Sequence, residues 1–217
     1  LTAELLSLLP AHLEDGGHAV VLSAWLVTAE SEWQTRIEQW LPENCDVWVG
    51  LRSTQTVDEY VDFWLADSGH ADDVSLRDLW RGRLNAWQAT EVAFGFIVVR
   101  KREGENWSRC EDLRRAVTLP DGEQVLQRLA AADAAEQLTA VDALMAVYEP
   151  ATEQAWRGEV AMEPVLMALR DRLNGSHSLT RVADDIAGDW RVDPNDVLVT
   201  ALAGIKLLLD LGLAREC

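Results

Sequence analysis

The chain is long enough for one large domain or two small ones, and it is strongly acidic, with 217 residues and a formal net charge of −18. This charge argues against broad electrostatic binding to nucleic acid, but it leaves open both a local basic patch and a purely solubilising role. No apolar run reaches the roughly 18 residues that cross a bilayer, which argues against a membrane protein. The three scattered cysteines form no Cys-x-x-Cys pair. We therefore expect no zinc site and no disulfide framework, and the predicted location is a reducing cytoplasm.

In the first half of the chain, apolar strands alternate with helical patterns. The predicted strands are His18–Leu26, Cys45–Leu51, Val92–Lys101 and Trp107–Val117. The predicted helices are Leu1–Leu13, Glu30–Leu41 and two further helices that begin at the capping residues Thr56 and Ser75. The polar turn Arg102–Asn106 favours a hairpin, so that the last two strands lie antiparallel at the edge of the sheet. This alternation predicts an α/β layer.

The chain shows a helical pattern from its first residue, without a preceding loop or cap. Leu1, Leu5, Leu8 and Leu9 follow helical spacing from the first residue. The three main predicted strands are also too few for a well-covered doubly wound sheet. We therefore expect that the chain begins inside a larger fold.

The second half of the chain changes in character after Pro120, where aromatic residues become rare and alanine and leucine increase. We predict two domains, 1–119 and 120–217. The predicted elements of the second are helices at Asp121–Leu138, Thr139–Met145 and Met162–Leu173, helices that begin at Ser178 and Asp193, an extended segment at Ala155–Val160 and a closing strand at Gly212–Arg215. Three helices followed by a strand predict a winged-helix-like domain.

The last long helix of that domain is apolar on nearly every side. It starts at Pro194 and carries one base, Lys206. An apolar helix of this kind is expected to be buried. It lacks the Arg, Lys, Asn and Gln side chains that read a DNA major groove, so we expect it to pack or to position a substrate.

Several short motifs of the first half occur in a characteristic order. They are Leu-Glu-Asp-Gly-Gly before the first strand, Ser23-Ala24-Trp25 near its end, Trp40-Leu41-Pro42, Cys45-Asp46-Val47-Trp48, Asp58-Glu59-Tyr60 with Trp64-Leu65, and Phe94-Gly95-Phe96. In this order, the segment resembles the C-terminal half of the Rossmann-like, class I methyltransferase domain of the N6-adenine and rRNA guanine methyltransferases. It is most similar to two-domain actinobacterial proteins of this group.

The resemblance implies a parent enzyme that transfers a methyl group from S-adenosylmethionine to a DNA or rRNA base. In that group a glycine-rich loop holds the cofactor, and an Asn-Pro-Pro-type motif holds the target amine. This chain contains neither Gly-x-Gly-x-Gly nor Asn-Pro-Pro. We therefore assign it no catalytic, cofactor-binding or metal-binding residue, and expect it to be inactive alone. Its expected partners are the N-terminal half of the same protein and a nucleic-acid substrate.

A first candidate substrate contact lies at the end of the first predicted strand. Ligands bind outside the carboxyl ends of the strands in open α/β sheets, and Ser23 and Trp25 are expected at that rim. Trp25 could stack on a flipped base. The alternative is that Trp25 packs under a helix.

A second candidate is the one place where arginines and tryptophans interleave. Arg77, Trp80 and Arg81 share a predicted helix with Arg83 and Trp87, and they could contact a nucleic-acid backbone. The alternative is surface pairing with Asp78 on the same helix. His12, His18, His70 and His177 show no metal-ligand spacing.

The sequence is compatible with two classes of function. The chain is either the structural and substrate-side half of a methyltransferase, or a non-catalytic helical interaction module on a degenerate α/β remnant.

Overall fold

The computed structural model of the chain describes residues 2–151 and 162–217. The chain divides into two compact units, Leu1–Arg115 and Ala116–Cys217. The extended segment predicted at 155–160 lies outside the described residues. Every helix in the described part is too short or too polar to cross a membrane.

The first unit is an α/β structure built on four strands. Its elements are α1 (Thr2–His12), β1 (His18–Thr28), α2 (Trp33–Glu38), β2 (Cys45–Thr56), α3 (Val57–Asp67), α4 (Val74–Ala86), β3 (Ala89–Lys101) and β4 (Ser108–Asp112). The strand β2 passes directly into α3, because Thr56 forms a capping box with Glu59. The Thr56 hydroxyl accepts the Glu59 N–H at 3.2 Å, and the Glu59 carboxylate accepts the Thr56 N–H at 2.8 Å. This start of α3 was predicted from the same residues.

The sheet is mixed, with the strand order β1-β3-β2-β4. The strand β3 is antiparallel to both of its neighbours, β1 and β2, while β4 is parallel to β2. The predicted edge hairpin is therefore wrong. Residues 92–101 lie between β1 and β2, and residues 108–112 pair with β2 and not with β3. The apolar composition of β3 reflects this central position, because both of its edges are paired and most of its side chains are buried.

Helices cover both faces of this sheet. On one face, Trp25, Val49 and Ile97 form a buried cluster with Leu6 of α1 and Ile37 of α2. On the other face, a smaller buried cluster holds α3 and α4 against the sheet. Its members are Val57, Val61, Leu65, Leu84 and Ala89, with Leu26, Tyr60, Leu76 and Trp80 packed around them.

A buried carboxylate organises the amino end of β2. Asp46 is fully buried, and it accepts hydrogen bonds from the guanidinium groups of Arg100 at 2.6 Å and Arg102 at 3.1 Å. It also accepts the backbone N–H of Trp107 at 3.1 Å. Because these partners lie before, within and after the turn between β3 and β4, Asp46 holds that turn against the sheet.

The second unit is mostly helical. Its elements are α5 (Gly122–Gln137), α6 (Ala140–Met145), β5 (Tyr148–Pro150), α7 (Pro164–Arg172), α8 (Leu179–Trp190), α9 (Pro194–Asp210) and β6 (Ala214–Glu216). The short strands β5 and β6 pair antiparallel. The helix starts follow the predicted caps: the Ser178 hydroxyl accepts the Arg181 N–H, and the Asp193 carboxylate accepts the Asn195 N–H at 2.8 Å.

The helix α9 is less completely buried than its composition predicts. Ile205 and Leu208 lie in the main cluster of the second unit, but Val199 and Leu207 are exposed beside Lys206. The prediction of a helix buried on nearly every side is therefore wrong, since one side of α9 faces solvent. A buried arginine, Arg128 of α5, pairs with Asp210 at the end of α9, with 3.5 Å between nitrogen and oxygen.

Candidate functional site

The strand directions place one end of the sheet where ligands bind in open α/β folds. Because β1 and β2 are both antiparallel to β3, and β4 is parallel to β2, the carboxyl ends of these three strands lie at one edge. A cavity of about 490 Å³ opens there. It is lined by Val27, Thr28, Ala29, Glu30, Ser31, Glu32, Trp33, Leu51, Thr54, Glu91 and Arg114. We call it the carboxyl-edge pocket.

Hydroxyl and carboxylate oxygens dominate the polar lining of the carboxyl-edge pocket. Thr28 ends β1, and its hydroxyl lies 3.2 Å from the hydroxyl of Ser31. Thr54 of β2 donates its hydroxyl to the Glu91 carboxylate of β3 at 3.5 Å. Glu30 and Glu32 belong to the turn that leaves β1. Such a wall offers more hydrogen-bond acceptors than donors.

Arg114 brings a positive charge to the lining of the pocket, and this charge is paired with a carboxylate. Arg114 donates to both oxygens of Asp112, from Nη2 at 2.6 Å and from Nε at 2.9 and 3.1 Å. The side-chain hydrogen bond from Arg114 lowers the pKa of Asp112. The same hydrogen bond raises the pKa of Arg114, with a smaller contribution from the negative charge of Glu91. The pocket therefore suits a ligand group that donates hydrogen bonds better than it suits a phosphate.

The structure places Trp25 and Ser23 away from this pocket. Trp25 is 2% exposed, with its ring centroid 5.9 Å from that of Trp33. It packs under α1 and α2, which is the alternative considered for it above. The Ser23 hydroxyl lies 2.9 Å from the hydroxyl of Thr2 in α1. Because β1 continues to Thr28, the rim of the sheet lies three residues after Trp25.

Arg77, Trp80 and Arg81 lie together on α4, as predicted, but their charges are matched from α3. Arg77 Nε lies 2.8 Å from Asp62, and Arg81 Nε lies 2.7 Å from Asp58. Arg77 also donates to the Ala71 carbonyl at 2.7 Å. The arginines thus pair with α3, and not with Asp78 of their own helix as the alternative supposed. Trp80 packs against the apolar cluster beneath α3 and α4.

The two predicted substrate contacts lie on opposite faces of the sheet. Successive strand residues point to opposite faces, and Trp25 and Leu26 belong to different clusters. Trp80 packs in the Leu26 cluster, so the helix face that carries it is separated from Trp25 by the sheet. The structure therefore does not bring Trp25 together with Arg77, Trp80 and Arg81.

Sequence reasoning missed Thr28, Thr54 and Glu91 as pocket residues. Thr28 lies two residues beyond the predicted end of the first strand at Leu26. Glu91 carried a usable signal, because it is an acidic residue directly before the apolar run 92–99. A charged residue at one end of a buried strand is expected at the solvent edge of the sheet, where sites form.

The cysteines of the first unit are poor nucleophiles. Burial raises the pKa of the Cys45 thiol, and burial raises the pKa of Cys110 to about 12, with Glu38 and Glu111 adding to the effect. Both thiols therefore stay protonated at neutral pH. Within residues 2–151 and 162–217, no three His, Cys, Asp or Glu side chains are grouped so that they could hold a metal ion.

Comparison of the sequence with models of known protein families gives no match, and comparison with curated proteins gives none either.

Proposed function

We propose that this chain is the C-terminal part of an S-adenosylmethionine-dependent methyltransferase that acts on a base of DNA or rRNA. It contributes structural and substrate-side elements to that enzyme. The proposal combines the ordered motifs of the first half with the arrangement of the strands that carry them.

The observation that carries the proposal is the strand order β1-β3-β2, in which the last of the three strands is reversed and lies between the other two. The Rossmann-like methyltransferase fold named by the resemblance ends its sheet in the same way, with its final strand antiparallel between the two strands before it. The motif order and the strand order are separate properties of the chain, and both favour the same family.

The free edge of β1 supports the proposed N-terminal half as a partner. Of the strands in the described residues, β1 pairs with β3 alone, so its other edge is open to a further strand. Val20 and Leu22 on one face of β1 are 53% and 78% exposed. Large apolar side chains on an open strand are typical of a surface that another element covers. In the proposal, strands and helices of the N-terminal half cover it.

The residues of the carboxyl-edge pocket do not fit S-adenosylmethionine. The lining contains no glycine, whereas close approach of a backbone loop to such a cofactor needs glycine. The chain holds neither the glycine-rich loop nor the Asn-Pro-Pro motif of the family. We therefore assign cofactor binding and catalysis to the N-terminal half, and only contacts with the methyl acceptor to residues of this chain.

The pocket supports the proposed acceptor class through its hydrogen-bonding groups. Glu91, Thr54 and Thr28 present oxygens at the carboxyl edge, and carboxylates accept hydrogen bonds from the exocyclic amines of bases. A flipped base would offer such an amine. The acidity of the chain repels phosphates, so we propose that any backbone contact uses the α4 face of Arg77, Trp80 and Arg81.

For the second unit we propose a winged-helix-like domain that serves the methyltransferase either as a packing element or as an element that positions the substrate. Three helices, α7, α8 and α9, precede β6, which pairs with β5 as a short two-stranded sheet. The exposed side of α9 carries Val199, Leu207 and Lys206. A single lysine provides little for reading a major groove, so DNA recognition by α9 is not part of the proposal.

Two measurements test the proposal. The chain alone should not bind S-adenosylmethionine in calorimetry, and micromolar binding would contradict the division of roles. With the N-terminal half present, Glu91→Gln should lower the rate of methyl transfer to a nucleic-acid substrate about tenfold or more, because a charged hydrogen-bond acceptor is lost. Glu103→Gln, an exposed position in the β3–β4 turn, is the matched control.

The outcome of these assays also separates the two classes of function. If the assembled protein transfers no methyl group to DNA, RNA or protein, and still does not bind S-adenosylmethionine, the non-catalytic interaction module is the better account. If methyl transfer occurs and Glu91→Gln and Glu103→Gln have the same rate, the protein is a methyltransferase, but the carboxyl-edge pocket does not bind the methyl acceptor.

A further inference from the structure

The sequence contains a single Asn-Gly pair, Asn174–Gly175, and the structure places it in the turn between α7 and α8. In an Asn-Gly pair, the backbone nitrogen of the glycine attacks the side-chain amide of the asparagine more readily than in any other Asn-containing pair. Glycine carries no Cβ, so nothing hinders closure of the five-membered succinimide ring. Asn174 is exposed, and Gly175 has a φ of +69°. The turn is therefore accessible to water and carries a reactive pair.

The Asn174 side chain is held in place by its neighbours. Its Oδ1 accepts the Ser176 N–H at 2.9 Å, and its Nδ2 lies 3.3 Å from Nδ1 of His177. A hydrogen bond to Oδ1 draws electrons from the amide carbon and makes it a better electrophile. The amide is thus activated at its oxygen, with an imidazole beside its leaving nitrogen.

The attacking nitrogen, in contrast, is bound elsewhere. The Gly175 N–H donates to the carbonyl of Tyr148 at 2.9 Å, and Tyr148 is fully buried in β5. To attack Asn174, this nitrogen must lose its proton and turn toward the side-chain carbon. Both changes require that the hydrogen bond to Tyr148 first opens.

We propose that Asn174 is a latent deamidation site, and that the hydrogen bond between Gly175 and Tyr148 controls its reaction. When that bond opens, the Gly175 nitrogen loses its proton to water and forms a bond to Cγ of Asn174. The Cγ–Nδ2 bond breaks, and Nδ2 leaves as ammonia after taking up a proton. Water then opens the resulting succinimide at either carbonyl, which yields aspartate or isoaspartate at position 174.

Opening of this bond is coupled to the β5–β6 pair. Arg215 of β6 donates to the Glu149 carboxylate of β5 at 2.6 Å, and the Cys217 N–H donates to the Val147 carbonyl at 3.0 Å. These contacts hold the chain on both sides of Tyr148. Weakening β6 should therefore release the Tyr148 carbonyl and expose Gly175 to reaction.

The reaction has a structural consequence for α8. Isoaspartate adds one carbon to the backbone at position 174, four residues before Ser178, the N-cap of α8. Either product also adds a negative charge to a chain that already carries −18. In this proposal, deamidation at residue 174 identifies the chains in which the β5–β6 pair has opened.

The test compares deamidation at residue 174 in the intact chain, in an unstructured peptide covering residues 170–180, and in an Arg215→Ala chain. Mass spectrometry of proteolytic fragments gives the extent of reaction at neutral pH. Amide hydrogen exchange on the same samples reports the opening at Gly175. The intact chain should react about tenfold or more slowly than the peptide, and Arg215→Ala should react at an intermediate rate.

Arg170→Ala is the matched control, because Arg170 pairs with Asp171 and not with β5, and it should leave the rate unchanged. Asn174→Gln should abolish the mass change at this position. Reaction of the intact chain at the peptide rate would overturn the proposal. So would fast exchange at Gly175 in Arg215→Ala without any increase in deamidation.

Discussion

The indole of Trp25 lies directly over Gly95 of the neighbouring strand, and its Cη2 is 2.8 Å from the position of a Cβ at Gly95. Gly95 pairs with Ser23 in the β1–β3 register, two residues before Trp25 on the same face. A Cβ there would also overlap the carbonyl oxygen of Gly50 in β2. The glycine thus makes room for a large aromatic ring in the middle of the sheet.

We therefore expect Gly95→Ala to destabilise the first unit by at least roughly 1–3 kcal/mol, because the new methyl group overpacks the core between Trp25 and Gly50. Urea unfolding monitored by tryptophan fluorescence measures the change. Gly82→Ala in α4 is the control, since a Cβ there meets nothing within 4 Å. That variant should gain up to about 1 kcal/mol from helix propensity. Equal stability of the two variants would show that Trp25 moves aside without cost.

The second prediction concerns the buried carboxylate of Asp46. Asp46→Asn should cost roughly 3–5 kcal/mol of unfolding free energy, because it removes the buried negative charge that pairs with the partly buried guanidinium groups of both Arg100 and Arg102. Asp15→Asn is the comparison. Its carboxylate is largely exposed and lies 3.9 Å from Lys101, so the change should be below about 1 kcal/mol. A loss of similar size in both variants would contradict a special role for Asp46.

The third prediction is a pH dependence at the carboxyl-edge pocket. The hydrogen bonds from Arg114 lower the pKa of Asp112 in the folded state, so the stabilisation is complete above the unfolded pKa of about 4. It is lost as the pH falls through the lower folded pKa. The stability difference between the parent chain and Asp112→Asn, measured by urea unfolding, should therefore shrink as the pH falls below about 4. Asp72→Asn, at an exposed position, is the control and should change stability by less than about 0.5 kcal/mol at neutral pH.

The fourth prediction tests the proposed acceptor contact on α4. Arg77→Glu with Arg81→Glu should weaken nucleic-acid binding by the assembled enzyme and flatten its salt dependence, because fewer phosphates are neutralised. The ion pairs with Asp62 and Asp58 are partly exposed, so each contributes only about 0–1 kcal/mol to stability. Binding is measured by fluorescence anisotropy at several salt concentrations.

Two further variants make this test specific. Adding Asp62→Arg and Asp58→Arg restores the ion pairs with reversed charges, and should recover stability. Lys206→Glu on α9 should leave binding unchanged. Normal affinity of the α4 variant together with a large loss for Lys206→Glu would show that the contact lies on the second unit.

Local patterns predicted the elements well, but they did not predict which strands pair. The apolar runs at 18–26, 45–51 and 92–101 all lie within strands, and the caps at Thr56, Ser178 and Asp193 start helices. The position of β3 between β1 and β2 depends on contacts between residues far apart in sequence. A run of apolar residues shows that a strand is buried, but it does not identify its neighbours.

The positions and partners of the candidate site residues were predicted wrongly for related reasons. The pairing of β1 with β3 continues past Leu26 to Val27 and Thr28, so β1 extends to Thr28. The rim of the sheet therefore lies beyond Trp25, the residue that was predicted to stand at it. The partners of Arg77 and Arg81 come from α3, which lies an ion-pair distance away only once α3 and α4 pack together. A search limited to neighbours on one helix could find Asp78 but not Asp58 or Asp62.

The strand order has a consequence for how the chain folds as it is synthesised. The strands β1 and β2 both precede β3 in the chain, but they are not neighbours, and each pairs with β3, which ends at Lys101. A nascent chain that stops before residue 89 therefore holds two apolar strands whose common partner has not yet been made. The strands β1 and β2 can therefore join into one sheet only after residues 89–101 have been synthesised and have inserted between them.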